Sequence, residues 1–467
     1  MTLLAPGVIN GAPNVSLGKY LTHLLENWGW VIRRVEHVQL IDARVTKRHV
    51  TVDVDTNAIG MASNGVGADA SMIDPGVLMD PSVVPVPVAI LTKDLLMDFD
   101  IRDAQGQALA IPSREEDSFA AASVMAYGLK RFLSPAALAE VGPRLFEIAH
   151  SFPLSKKDVD EWRLLDPSPR WSDSTAREWN EKVLSNDKPT LLVKDFAYRF
   201  LLLTQMHPGE GTELLKFSYQ GRVDWDPGPL AKLGVVPSKA HIVVPGVIQT
   251  RSYHLRFTAP EGLVITGAQL AHRPAKKRPP ADWRAHRKQN LTEVYLYASR
   301  LFPLPSFVAE FSLRAPTNGF VRTATASTLL TALTLVFVLV HYSEFDLLSV
   351  HQGDAVVTLL LVVPLVLGAY VVRPREHTMV NTLLRRTRFL VAGAALLPYI
   401  VAIALLPRFE GWPARFTIRG AVAACTMIAL LLIVVSIRTA NDIRRAGEAK
   451  GRIERVEIPE VDLPGVP

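Results

Sequence analysis

Four stretches in the last third of this 467-residue chain contain no Asp, Glu, Lys or Arg: residues 323–342, 355–372, 389–407 and 420–437. A helix needs about 20 apolar residues to cross the hydrocarbon core of a bilayer, and each stretch is about that long. A surface helix of a soluble domain shows a polar face, and a soluble domain of this size has no core large enough for four all-apolar helices in series, so the runs exclude an all-soluble fold. The pattern predicts a polytopic membrane protein: an α+β part in front and a C-terminal bundle of four transmembrane helices behind it.

Charge is distributed unevenly along the chain. The formal net charge is +6, and residues from Arg314 onward hold 16 Lys and Arg against 11 Asp and Glu, leaving 35 against 34 before them. A pI near 9.3 would otherwise point to nucleic acid. With the front part nearly neutral, no nucleic-acid partner is expected, and the basic excess belongs to the lipid bilayer as partner. The connection 343–354 carries Glu344, Asp346 and Asp354 but no Lys or Arg, whereas 373–388 carries Arg373, Arg375, Arg385, Arg386 and Arg388. The tail beyond 437 carries Arg438, Arg444, Arg445, Lys450, Arg452 and Arg455. Cytosolic loops are the ones enriched in Lys and Arg. Both termini are therefore expected in the cytosol, with the chain in the plasma membrane. Arg408, Arg415 and Arg419 in the third connection run against this assignment.

The front part reads as a cytosolic domain over 16–313. Residues 1–15 show neither a basic start nor an apolar core, so disorder and no export signal are expected there. Ser16 is placed to cap an amphipathic helix with Leu17, Tyr20, Leu21, Leu24, Leu25, Trp28 and Ile32 on one face. Val50, Val52 and Val54 alternate with Thr51, Asp53 and Asp55 in a strand. Residues 57–80 read as a long loop. Residues 83–91, with Pro85 and Pro87, fit only an edge strand. Ser113 with Glu116 forms a capping box, and Ser134-Pro135 opens a further helix, so 113–187 is expected to be a helical insert. Strands follow at 200–205 and 212–219, joined as a hairpin, then at 253–258, 263–270, 292–298 and 307–313. Strands on both sides of an insert suggest a β-sandwich-like domain. A linker, 314–322, leads to the transmembrane part, 323–437, and a cytosolic tail, 438–467.

Motifs for chemistry are missing. There is no phosphate loop, HExxH, GxSxG or EF-hand spacing, and Gly65-Val-Gly67 lacks the third glycine of a dinucleotide site. No catalytic, cofactor-binding or metal-ligating residue is assigned, and no cofactor is expected. The single cysteine, Cys425, builds no disulfide or thiolate metal site within one chain. Asp53 and Asp55 read as the wet face of a strand. His37 and His49 fall on neighbouring strands, too few for a ligand set.

Two features carry an interaction. The loop 271–290 holds Arg273, Lys276, Lys277, Arg278, Arg284, Arg287 and Lys288, and such segments attract anionic lipid headgroups. In the first stretch, Ser327, Thr331 and Thr334 share a helix face, which either packs on a neighbouring helix or lines a water path in a homo-oligomer. The layout is similar to that of pentameric ligand-gated channels, but the chain lacks a Cys-bounded loop and its charges put the front part inside, so no residue roles carry over. The expected function is non-enzymatic binding of a ligand or partner at the inner membrane surface. A pore gated from the cytosol and a membrane-associated enzyme are the alternatives.

Overall fold

A computed structural model describes residues 12–64, 80, 82–93, 99–151, 165–209, 211–223, 225, 227–244, 249–272, 284–299, 307–341, 358, 362, 378–404, 414–449 and 452–456. It shows a mixed α/β protein with a sheet-rich N-terminal region. Among the described residues, three helices toward the C-terminus are long and apolar enough to cross a membrane. The stretch 355–372, expected as the second of four spans, lies outside the described residues apart from positions 358 and 362.

The centre of the fold is β1 (Val31–Leu40), which pairs antiparallel with β2 (Val45–Asp55). Helices α1 (Val15–Glu26) and α2 (Thr56–Asn64) flank this pair in the chain, followed by β3 (Val84–Thr92) and β4 (Asp100–Arg102). Among the described residues, the helices α3 (Arg114–Leu129), α4 (Pro135–His150), α5 (Asp173–Glu178) and α6 (Asp187–Tyr198) come next. The remaining strands are β5 (Arg199–Met206), β6 (Thr212–Arg222), β7 (Ser238–Val243), β8 (Ser252–Thr258), β9 (Val264–His272), β10 (Arg284–Gln289), β11 (Glu293–Ser299), β12 (Phe307–Arg314) and β13 (Ile453–Val456). They form an eight-stranded sheet in the order β13-β10-β11-β8-β1-β2-β6-β4, a three-stranded sheet β7-β12-β9 and a two-stranded sheet β3-β5.

Alternation decides which face of the large sheet is covered. Val50, Val52 and Val54 of β2 are buried, as the period-two pattern predicts. One core joins these valines to α1, α3, α4, α6 and the β3-β5 pair. A second core joins β8 and β11 to the three-stranded sheet, where the rings of Phe257 and Phe311 stack with centroids 3.8 Å apart. Between the cores the covered face carries charge. Arg34 donates from Nε to Glu36 Oε1 at 2.7 Å and from NH1 to the Val88 carbonyl of β3 at 3.4 Å. Arg48, on the next strand, donates to the Val243 carbonyl of β7 at 2.9 Å. The two covering layers are thus each tied to the sheet by a buried arginine.

Local signals decide the helix starts. The capping box at Ser113 and Glu116 forms, and Ser134 caps α4 with Pro135 in its first turn. The cap of α1 is Asn14, whose side chain accepts from the Leu17 amide at 2.8 Å, and not Ser16. Gly18 of α1 lies so close to α3 that a Cβ there would sit 1.9 Å from the Ser123 carbonyl oxygen.

Several expectations are corrected. Residues 56–64 are helical because Asp55 accepts from the Asn57 and Ala58 amides at 3.1 Å and opens a turn where a loop was expected. The helices after Ser113 run on to Tyr198 rather than stopping at 187. β5 and β6 are not a hairpin: β5 pairs with β3 and β6 with β2 and β4. The intervening segment crosses between sheets, with Gly209 and Gly211 at φ +88° and +102° and both bonded to Thr56. The basic loop is interrupted by β10, and the tail adds β13 to that strand's edge.

Helix α7 (Arg322–Val340) follows β12 through a short turn, Thr317–Val321, kinked at Gly319, that occupies most of the expected linker. Helices α8 (Thr378–Ala404) and α9 (Ala414–Glu448) have 27 and 35 residues. At 1.5 Å per residue they measure about 40 and 52 Å, well beyond a hydrocarbon core of about 30 Å. The surplus turns, at the start of α8 and the end of α9, pack on the sheet-rich region.

Candidate functional site at the junction of sheet and helices

The junction is built around Arg314, the last residue of β12. Phe307, Ala309, Phe311 and Leu313 are buried on one side of this central strand, and Val308 and Glu310 are buried on the other. Arg314 is 4% exposed. Its NH1 donates to the Gly234 carbonyl at 2.8 Å and to Thr439 Oγ1 of α9 at 3.2 Å. Its NH2 donates to the Val235 carbonyl at 3.3 Å and lies 2.6 Å from Asp442 Oδ2. One planar guanidinium therefore holds a strand end, a turn and a long helix together. Burial lowers its hold on its proton, and Asp442 opposes that shift.

Helix α8 enters the same junction. Its Met379, Val380, Leu383 and Leu384 share the second core with Ile265, Phe311 and Leu313. Thr387 Oγ1 donates to the Lys232 carbonyl at 3.4 Å. Arg388 donates to Asn381 Oδ1 at 2.9 Å and lies over the Phe320 ring at 5.1 Å. Nearby on β12, Glu310 meets His241 Nε2 at 3.1 Å and Lys239 Nζ at 3.0 Å. The hydrogen bond from His241 and the one from Lys239 bring its carboxyl down to about 2.

The sequence-predicted residues fall in different places. Ser327 and Thr331 of α7 are buried and Thr334 is half-buried. Thr331 Oγ1 donates to the Ser327 carbonyl and Thr334 Oγ1 to the Leu330 carbonyl, both at 2.9 Å, which is back-bonding to their own helix. Cys425 is buried on α9, its thiol 3.7 Å from the Thr328 carbonyl. Arg273, Lys276, Lys277 and Arg278 lie outside the described residues. Arg284, Arg287 and Lys288 stand on β10. Arg287 is engaged by Glu454 at 2.5 Å and by the Ala268 carbonyl at 2.9 Å, while Lys288 is exposed.

Asp53 lies 2.8 Å from Arg33, and Asp55 caps α2, so the two carboxylates serve separate structural partners. His37 faces His49 across the β1–β2 ladder with ring centroids 6.3 Å apart. Burial and the Arg256 charge lower the His37 pKa, and burial and Lys47 lower that of His49. Among the described residues, no three His, Cys, Asp or Glu side chains gather to hold a metal ion.

Several buried charges escaped the reading of the sequence, Lys93, Arg34 and Glu36 among them. Lys93 donates from Nζ to the Ala149 and Phe196 carbonyls, closing the C-terminal ends of α4 and α6. Burial, with Arg114 nearby, lowers its pKa to about 7. No motif marks it. Arg34 and Glu36 did leave a signal, because they share the phase of Val38 and Leu40 on β1. Compared with known proteins, the chain matches no protein family and no curated protein sequence.

Proposed function

We propose that this chain is a multi-pass protein of the plasma membrane that crosses four times. Its sheet-rich region and both ends lie in the cytosol, and that region binds a ligand or partner without chemical turnover. The observation that carries the reading is the burial of three helix ends in the sheet-rich region. The starts of α7 and α8 and the end of α9 all meet the second core. A chain that leaves along α7 must return before α8 begins, and 355–372 is the uncharged stretch available for that return.

Charge supports the orientation. Arg322, Arg385, Arg386, Arg388, Arg438, Arg444 and Arg445 belong to the sheet-side ends of these helices, against Arg415 and Arg419 at the far end of α9. Packing of the three-stranded sheet on β8 and β11 supports a sandwich-like arrangement for that half of the region. Arg273, Lys276, Lys277, Arg278, Arg284 and Lys288 are assigned to anionic headgroups, while Arg287 is held by Glu454. The face bearing Ser327, Thr331 and Thr334 is assigned to helix packing, which its back-bonded hydroxyls favour.

A stabilisation screen tests the binding reading. The full chain in detergent is heated with panels of metabolites, metal ions and anionic lipids. A ligand that binds only the native state raises the unfolding temperature in a concentration-dependent way. Saturable stabilisation without consumption of the compound is expected. Consumption of a stabilising compound would replace the binding reading by an enzymatic one.

A further inference from the structure

Residues 228–235 form one compact turn, closed by Lys232 N to Gly228 O at 3.0 Å, Gly234 N to Ala231 O at 2.8 Å and Val235 N to Leu230 O at 3.0 Å. Gly234 sits at φ +75°, the left-handed position that ends such a turn. The turn leans on the membrane helices at a definite level. The Lys232 carbonyl accepts from Thr387, two residues before the uncharged stretch of α8 begins at Phe389. Gly234 packs against Val435, two residues before the uncharged stretch of α9 ends at Ile437. Two helical residues span about 3 Å, so the turn straddles the level where both stretches pass from polar to apolar.

Within the turn Leu230 is 56% exposed and Ala231 is buried, and Val236, the next residue after the turn, is 38% exposed. We infer that the turn 228–235, with its exposed Leu230, is a foot that enters the headgroup–acyl boundary of the bilayer and seats the sheet-rich region on the membrane. The occupant is lipid because the surface continues that of the helices at their polar boundary. Segments of this kind insert their apolar side a few ångströms below the headgroups. The inference rests on the reading that the helices cross a bilayer.

The test uses the full chain carrying Cys425→Ala, with one new cysteine per variant and a bimane label on each. Leu230→Cys probes the foot, Leu330→Cys the lipid side of α7 and Leu191→Cys an exposed site on α6. These leucines are 56%, 46% and 61% exposed, so each accepts a label without repacking. The variants are placed in nanodiscs of phosphatidylcholine and phosphatidylglycerol carrying a nitroxide near the headgroup end of the acyl chain. The expected result is quenching at Leu230 and Leu330 and none at Leu191. Quenching at Leu330 with Leu230 as bright as Leu191 would overturn the foot and leave the membrane reading standing. No quenching at Leu330 would overturn both. A Leu230 label shielded from the nitroxide and from aqueous iodide would show a protein partner on the turn, and would also overturn the inference.

Discussion

The two ends of the helical bundle are built from different materials. At the sheet end, Val380, Leu383, Leu384, Leu432 and Val435 share a core with Phe311 and Leu313, and Arg314, Thr387 and Arg388 add polar ties to it. At the far end, Leu335, Val338, Ala394, Val401, Ile418, Ala421 and Cys425 pack within the bundle. Between 28% and 44% of the three apolar windows is buried in protein. The exposed remainder includes Leu330, Leu333, Phe337, Leu396, Ile400 and Leu430, a surface suited to lipid and unsuited to water. The sheet end is therefore fixed by protein geometry, and the far end depends on its solvent.

The largest effect is expected where that geometry has one centre. Arg314→Ala leaves Asp442 and two carbonyls without their cation, and breaking a buried pair in this way costs about 3–5 kcal/mol. Asp442→Asn should cost less, since the Asp442 side chain is 30% exposed. Thermal unfolding of the full chain in detergent checks both, and equal small effects would remove Arg314 as the pin. Next comes a matched pair of truncations. Leu383→Ala, buried at the sheet end, should cost about 2–4 kcal/mol. Ile400→Ala, 48% exposed on the same helix, should stay within about 0.5 kcal/mol. If both cost the same, the two ends do not differ in the way described.

Glu310 sharpens the sheet end by pH. Its folded carboxyl, at about 2, is below an ordinary Glu at about 4.3. The stability it contributes is complete above the unfolded value and is lost as pH falls through the folded one. Unfolding temperature should fall from about pH 5 toward 2, and Glu310→Gln should flatten part of that slope. The smallest effect is expected at Thr331→Val and Thr334→Val, whose hydroxyls return to their own helix. A change within about 1 kcal/mol, with normal yield, fits that geometry.

How much of this was legible beforehand follows from the range of each interaction. Apolar length placed α7, α8 and α9, because it acts within one segment. The capping box at Ser113 and the valines of β2 were legible for the same reason. Pairing of β5 with β3 was not, since sequence adjacency favours a hairpin and only long-range packing reassigns the partner. Arg314 stood in an expected linker, and its role depends on Gly234, Thr439 and Asp442, which lie 80 or more positions away on other elements. Arg287 was assigned to lipid on local charge alone, while its partner Glu454 is 167 positions distant.

The central claim is that the sheet end of the bundle and both chain ends share one side of a bilayer crossed four times. Cysteine labelling in intact cells tests it most directly, in the Cys425→Ala background. Gln352→Cys, between the first and second stretches, should react with a membrane-impermeant maleimide added outside. Gln105→Cys, on an exposed turn of the sheet-rich region, should react only after the membrane is permeabilised. Reaction of Gln105→Cys from outside, or protection of Gln352→Cys until permeabilisation, would contradict the account.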